Sequence, residues 1–177
     1  MKISLQYLKE KSACQKAVAA FSEKYGDADV DYQEVLDSLV AIERSDWAIW
    51  LLQVAGGVDT EVKIDGDLVA KNGIAVAGRL VVTGRIEAKF IFSGLGIKAG
   101  EGIKAGRGIK AGRGIEAGEG IEAGWGIEAG EGIEAGWDYG IYAGLAVRLS
   151  LKVQYAVIIA KTRPENITLG EFREAKP

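Results

Sequence analysis

The amino-acid sequence predicts a mainly β protein, a three-sided β-solenoid (β-helix) of hexad repeats with about five to six coils and an N-terminal α-helical cap. Three observations lead to this prediction. Apolar residues follow a helical spacing before Gly57 and a strict six-residue spacing after it. The charges of the central repeat attract one another between coils when three hexads close each coil. The predicted domains are the helical cap (1–57), the solenoid (58–160) and a C-terminal tail (161–177).

The predicted cap contains three helical runs, in which apolar side chains recur three to four positions apart. Gly26 is expected to end one run, and Asp31 is expected to cap the N-terminus of the next. Trp47 and Trp50 lie on a strongly apolar face of the third run, and we expect them to pack the helices on the first coil. Cys14 is expected to be a buried small apolar residue.

The predicted solenoid begins at Val62, from which every sixth residue is apolar, as is the residue two positions later. The hexad that ends at Phe90 is one residue short, so the next inward residue is Ile91. After it the six-residue spacing is expected to continue unbroken and to give seventeen hexads. In the central stretch, "I-x-A" is predicted to form a short strand whose first and third side chains point inward. "G-x-G" is predicted to turn each corner because glycine reaches backbone angles that other residues avoid. The last expected members are Ile133, Tyr139, Leu145, Leu151 and Val157, with the inward partners Ile141, Val147, Val153 and Ile159.

The size of one coil is predicted from the charged positions. Three hexads per coil stack Lys98 on Glu116 and also place Lys104 on Glu122 and Lys110 on Glu128, at the cost of one repulsive pair, Glu116 with Glu134. Two hexads per coil stack like charges instead. Because like charges directly opposite one another destabilise a strand pair, the sequence favours three sides.

The composition argues against an enzyme. The chain has no histidine, which removes the commonest general base and the commonest metal ligand. We expect the many carboxylates to form solvated outward ladders, with no catalytic residues, no cofactor and no metal. The net charge of −3 and the lack of a signal peptide or membrane-length apolar run predict a cytoplasmic protein with no membrane and no direct nucleic-acid binding.

The positions that vary along the repeat predict a binding surface. Residues 97–114 carry five cations and one acid, whereas residues 115–138 carry seven acids and no base. One interpretation is that this arrangement only pairs adjacent coils. The alternative is a functional acidic surface with Trp125 and Trp137 in exposed corner positions, since tryptophan is enriched at the hot spots of interfaces. A cation–π contact between Trp125 and Arg107 is the local alternative.

The sequence predicts a non-catalytic protein that binds a basic surface of a protein partner through an acidic Glu/Trp face. Its candidate residues are Glu116, Glu119, Glu122, Trp125, Glu128, Glu131, Glu134 and Trp137.

Two resemblances add to this interpretation. Residues 62–88, "VKIDGDLVAKNGIAVAGRLVVTGRIEA", resemble the V-x-I-x-G-x hexads of bactofilins, bacterial polymer-forming proteins with a right-handed β-helix core. That resemblance implies a β-helix and, as the alternative function, structural self-assembly. "SACQKAV" followed by "RSDWAIWLL" is similar to N-terminal segments of small phage and prophage proteins. It implies a mobile-element origin, and with the acidic face it leads to the hypothesis of an inhibitor of a host nucleic-acid-binding or defence complex.

The C-terminal run "LAVRLSLKVQYAVII" (145–159) has the alternation of a strand and no glycine. An uncovered last rung exposes unpaired backbone groups, so we predict a homodimer through the C-terminal coil unless "RPENITLGEF" folds back over it. The contact candidates are Leu151, Val153, Tyr155, Val157 and Ile159.

Overall fold

The computed structural model describes residues 1–146 and 152–175, with the side chains of residues 152 and 153 excepted. It is a mainly β structure in which three parallel sheets wind around one slim core in about six turns, with helices at the N-terminus. The predicted three-sided solenoid of five to six coils is therefore confirmed.

The helices are α1 (Leu5–Glu10), α2 (Gln15–Tyr25), α3 (Tyr32–Ala41), α4 (Ser45–Ala55) and α5 (Lys152–Tyr155). The strands are β1 (Lys2–Ile3), β2 (Val30–Asp31), β3 (Glu61–Ile64), β4 (Leu68–Ala70), β5 (Ile74–Val76), β6 (Arg79–Val82), β7 (Ile86–Ala88), β8 (Ile91–Ser93), β9 (Ile97–Ala99), β10 (Ile103–Ala105), β11 (Ile109–Ala111), β12 (Ile115–Ala117), β13 (Ile121–Ala123), β14 (Ile127–Ala129), β15 (Ile133–Glu134), β16 (Ile141–Ala143), β17 (Val157–Ala160), β18 (Ile167–Leu169) and β19 (Glu171–Glu174).

The solenoid has three sheets, which the chain visits in turn. Sheet 1 has the order β15-β12-β9-β6-β3, sheet 2 the order β18-β16-β13-β10-β7-β4, and sheet 3 the order β19-β17-β14-β11-β8-β5. Ile103 pairs with Ile121, 18 residues later, so three hexads close one coil. The short hexad near Phe90 is confirmed as well, since Ile91 pairs with Ile74 in the coil below, 17 rather than 18 residues earlier. The core consists of inward rows of isoleucine and alanine that are almost fully buried.

The expected charge stacking between coils is observed. Three lysine–glutamate pairs join the third and fourth coils at 2.6, 3.6 and 2.8 Å, and Glu116 also lies opposite Glu134. The three attractive pairs are Lys98–Glu116, Lys104–Glu122 and Lys110–Glu128. Because these side chains are partly or largely exposed to water, each pair contributes less than about 1 kcal/mol. These ion pairs therefore indicate which residues stack between the coils, and they contribute little to the stability of the fold.

The unbroken phase expected after Ile133 is wrong. Ile141 is fully buried in the next rung, whereas Tyr139 is 46% exposed. The corner "GWDYG" is two residues longer than "G-x-G", and this insertion moves the inward positions to Ile141 and Ala143. A further insertion containing α5 precedes β17, where Ile158 and Ala160 point inward in place of the expected Val157 and Ile159. Of the other expected inward residues, Leu145 is exposed, Val147 and Leu151 lie outside the described residues, and the side chain of Val153 is not described.

The residues predicted as a C-terminal tail also take part in the solenoid. Strand β18 pairs with β16, and β19 pairs with β17, so both extend the parallel sheets by one rung. The strand run expected over residues 145–159 is limited, within the described residues, to β17.

The corner glycines have a different role from the one expected. None of the glycines between Gly94 and Gly140 has a positive φ, so the corners do not need the backbone freedom of glycine. The first glycine of a corner instead lies against the coil below. A Cβ atom added to Gly118 would approach the carbonyl oxygen of Gly100 to 2.0 Å, whereas one added to Gly132 would meet nothing within 4 Å. Close stacking of the coils thus explains the first glycine of most corners, with the exception of Gly106, where an added Cβ would lie 3.7 Å from the nearest atom.

The helical cap packs on the flank of the first coil rather than over its end. Ala75 and Ala77, which alternate with the inward residues of β5, belong to the core of the helical cap. The inward residues of β3 and β4 are only partly buried, whereas Leu80 and Val82 in the next coil are at most 1% exposed. Among the described residues, no strand pairs with the lower edges of β3 and β4.

Two polar contacts hold the cap in place. The side-chain amide of Gln33 donates to the carbonyl oxygen of Ala75 at 2.8 Å and accepts from the N–H of Ala77 at 2.9 Å, as a neighbouring strand would. Lys89 donates to Glu43 at 2.6 Å, and this hydrogen bond holds the pKa of the Glu43 carboxyl below its usual range.

The replacement Gln33→Leu is expected to lower the free energy of unfolding by about 1–2 kcal/mol, because two part-buried backbone groups lose their partner. Denaturant unfolding measures the loss, and amide exchange should become faster at Ala77. The matched control is Gln6→Leu, since Gln6 also makes a side-chain hydrogen bond, to Glu10, but on an exposed helix surface. That control should change stability by less than about 0.5 kcal/mol. Equal effects of the two replacements would show that the hydrogen bonds of Gln33 to Ala75 and Ala77 do not hold the cap on the first coil.

Gly26 and Asp31 have the roles predicted for them, but the first predicted helical run is divided into two helices, α1 and α2, and Cys14 is not buried as expected. Gly26 ends α2 with φ 62°, and the side chain of Asp31 accepts from the N–H of Gln33 at the start of α3. The expectation that Cys14 is buried is wrong: it precedes α2 as its N-cap residue and is exposed.

Candidate functional site

The eight interaction candidates are distributed around the solenoid rather than placed on one face. Glu116, Glu131 and Glu134 line a groove of about 490 Å³ on sheet 1. Glu119 and Glu122 line one of about 530 Å³ on sheet 2. On sheet 3, a groove of about 250 Å³ contains Trp125 and Glu128. Trp137 stands at the corner between β15 of sheet 1 and β16 of sheet 2. A three-sided coil produces this division because consecutive hexads face different directions.

The groove on sheet 1 has balanced charge. Its three carboxylates are matched by Arg79, Lys98 and Arg113, which line the same groove. Lys98 and Glu116 already form an ion pair within it. This face therefore has little net attraction for a basic partner.

The groove on sheet 3 joins residues that the sequence predicted for two different purposes. Trp125 and Glu128 lie there with three of the predicted dimer contacts, Tyr155, Val157 and Ile159. β17 is not an edge strand, because β19 pairs with it. A homodimer at this place would use the outward side chains and not a free backbone edge.

The groove on sheet 2 has an excess of negative charge. Five carboxylates line it, against two cations. Both cations are already paired, Arg85 with Asp67 at 3.3 Å and Lys104 with Glu122 at 3.6 Å. The five carboxylates belong to Glu87, Glu101, Glu119, Glu122 and Asp138.

The excess charge is concentrated at the corner between sheets 1 and 2. The N–H of Glu119 donates to the carbonyl oxygen of Glu101 at 3.3 Å, so these corner residues stack one coil above the other, about 4.8 Å apart. Asp138 lies in the same corner of the next coil. Within the described part of the chain, no lysine or arginine forms an ion pair with Glu101, Glu119 or Asp138. Their charges are therefore available to an external cation.

The two tryptophans predicted to be exposed differ in their surroundings. Trp137 is fully exposed. It lies at the upper end of the corner that carries Glu101 and Glu119. Trp125 is 49% exposed and stacks on the guanidinium of Arg107, 5.6 Å from its ring centroid. The cation–π contact predicted as the local alternative for Trp125 is thus present. Trp137 is the tryptophan whose whole ring faces solvent.

We call the set of Glu101, Glu119, Trp137, Asp138 and Tyr139 the acidic ridge. Tyr139 belongs to it because its hydroxyl donates to Glu119 at 3.4 Å and its ring is 46% exposed. The sequence prediction did not include Glu101, Asp138 and Tyr139 among its candidates. Two signals identify them in retrospect: Glu101 lies 18 residues before Glu119, and "WDYG" departs from the repeat.

The titratable groups with shifted pKa values lie elsewhere. Burial raises the pKa of the Tyr32 hydroxyl in the helical cap, and a hydrogen bond from Arg44 lowers the pKa of the Asp46 carboxyl. In the described ranges, no three histidine, cysteine or carboxylate side chains converge closely enough to hold a metal ion, the carboxylates of the sheet 2 groove included. None of the described helices has the length and apolar character needed to span a membrane.

The fold defines the class of protein, a parallel β-solenoid with a repeat of about 18 residues. Comparison of the chain with known protein families, with curated proteins and with solved structures finds no match. The bactofilin and phage resemblances of the sequence gain no support from these comparisons.

Proposed function

We propose that this β-solenoid is a non-catalytic protein-interaction module whose acidic ridge binds a basic surface of a protein partner. The observation that carries the proposal is the fully exposed indole of Trp137 beside stacked carboxylates that have no cationic partner among the described residues. An exposed tryptophan supplies a large apolar contact at a hot spot, and the unpaired carboxylates supply attraction and orientation.

The chemistry of the ridge favours a partner that normally binds nucleic acid. Carboxylates stacked about one rung apart on a convex corner present a row of negative charge, as a phosphate backbone does. A protein groove lined with lysine and arginine would accept either. With the phage-like N-terminal segment, this leads to the further proposal that the protein inhibits a host nucleic-acid-binding or defence complex from the cytoplasm.

A second candidate function, bactofilin-like self-assembly, is favoured by one observation. The inward residues of β3 and β4 in the first coil are partly exposed, and the lower edges of these two strands have no strand partner in the described residues. An open rung of this kind can pair with another chain. Light scattering and electron microscopy distinguish the two candidates, since self-assembly requires dimers or filaments of the purified protein, whereas the interaction module requires neither.

The interaction function is tested by affinity capture from a bacterial lysate, identification of the partner by mass spectrometry, and titration of that purified partner. The double replacement Trp137→Ala with Glu119→Lys is expected to weaken binding at least about thirtyfold, because it removes an aromatic anchor and reverses a charge. Binding should also weaken as salt concentration rises, and a nucleic acid that occupies the partner should compete.

The matched control is Glu131→Lys, which makes the same charge reversal at the equivalent corner position between β14 of sheet 3 and β15 of sheet 1. It should leave affinity within about threefold of the original, because a residue outside the contact changes binding little. If the control and the double variant lose affinity equally, or neither loses it, the acidic ridge is not the binding site.

A further inference from the structure

The helical cap contains a cavity separate from the acidic ridge. It measures about 80 Å³ and lies among α1, α2, α3 and α4. Its walls are mostly apolar, with Phe21, Leu39, Trp47 and Trp50 among them. The proposed interaction of the solenoid uses none of these residues.

Small residues of α2 create this space. Ala17 and Ala20, one helical turn apart, line the cavity where longer side chains would fill it. Trp47 and Trp50, which were predicted to pack the helices on the first coil, are half-buried and line this cavity. Trp50 also packs against the core of the cap that includes Ala75 and Ala77 of the first coil, and the guanidinium of Arg44 covers the Trp47 ring at 3.3 Å. The volume is about half that of a dry cavity of roughly 150 Å³ that accommodates benzene, so it suits a small branched group.

One edge of the cavity is polar and carries a single charge. The ammonium group of Lys24 donates to the hydroxyl of Ser38 at 2.6 Å and lies 5.1 Å from the ring centroid of Tyr25. The hydroxyl of Tyr25 is also hydrogen-bonded to Ser38. No carboxylate lines the cavity, and Lys24 has no ion-pair partner in the described part of the structure. These contacts hold a cation, with ammonium hydrogens still free, at the edge of an apolar space.

We propose that this cavity binds a small amphipathic carboxylate. The branched aliphatic part of the ligand fills the space between α2 and α4, where it removes apolar surface from water. Its carboxylate accepts a charge-assisted hydrogen bond from the ammonium group of Lys24. The chemical complementarity has two parts, a branched apolar body of four to five carbons and one negative charge at its end.

The proposal is tested with three probes of similar shape: 4-methylpentanoate, 4-methylpentan-1-ol and 4-methylpentan-1-amine. Each is titrated into the full chain while the indole N–H resonances of Trp47 and Trp50 are followed by NMR. We expect the carboxylate to shift both resonances and to bind about tenfold more tightly than the alcohol, because only the carboxylate pairs with the ammonium group. The amine should bind most weakly.

Two variants separate the apolar part of the site from the charged part. Lys24→Met keeps the length of the side chain and should remove the preference for the carboxylate over the alcohol. Ala20→Leu should fill the cavity and abolish the shifts produced by all three probes, with the helical signal of the folded protein retained in circular dichroism. Equal affinity for the carboxylate and the alcohol in the original protein would overturn the proposal. Shifts that persist in a folded Ala20→Leu variant would overturn it too.

Discussion

Replacing Gly118 with alanine is expected to lower the free energy of unfolding by about 3 kcal/mol, because the added methyl group has no space between two coils. Its Cβ atom would lie 2.0 Å from the carbonyl oxygen of Gly100. That oxygen belongs to backbone in the coil below, and the N–H of Gly118 donates to Ala99 in the same coil at 3.1 Å. The two coils must therefore move apart, which weakens the hydrogen bonds between them.

The measurement is thermal and denaturant unfolding of the variant beside Gly132→Ala. A Cβ atom at Gly132 meets nothing within 4 Å, so this control makes the same chemical change at the second glycine of a corner. We expect the melting temperature to fall by about 6–12 °C in Gly118→Ala and to change little in Gly132→Ala. If both variants melt together, contact between the coils is not the reason for the first corner glycine.

The second large effect is expected for Ile121→Ala, which should cost about 2–5 kcal/mol. Ile121 is fully buried, and its strand pairs on one side with β10 and on the other with β16. The core of the solenoid is narrow and made largely of isoleucine and alanine, so few neighbouring side chains are long enough to fill the space left by the lost methyl and methylene groups.

Two controls define the origin of this loss. Ile121→Val removes one methylene group and should cost about 0.5–1.5 kcal/mol. Glu122→Ala changes the adjacent outward residue and breaks only its exposed ion pair with Lys104, so less than about 1 kcal/mol is expected. Denaturant midpoints of the three variants should follow this order. A loss for Glu122→Ala as large as that for Ile121→Ala would show that the ion pairs, rather than the core, hold the coils together.

The proposed binding surfaces lie where the chain departs from its repeat. The acidic ridge ends in the long corner "GWDYG", and the ligand cavity lies in the helical cap outside the solenoid. Regular hexads produce a repeated surface, on which no position differs enough from the others to favour binding of a partner there. The extra residues of the long corner place Trp137 fully in solvent beside carboxylates that have no cation opposite them.

Much of the fold could be predicted from the sequence, and little of the proposed binding site. The inward row of isoleucines and the attraction of Lys98 for Glu116 predict the three-sided coil correctly, because stacking repeats the same kind of contact from turn to turn. The acidic surface was less accessible to prediction. Residues close together in the hexads, such as Glu116 and Glu119, line different grooves, because the coil turns by about a third of a revolution between hexads.

The sequence by itself determined the period, the number of sides and the inward rows as far as Ile133, since each depends on local alternation and on charges one coil apart. Only the tertiary structure decided where the phase resumes and which outward residues meet. After a long corner, backbone hydrogen bonds to the coil below set the register, whatever the number of residues in the loop. That is why Ile141, and not Tyr139, enters the core, and why Trp137 is fully exposed in the long corner.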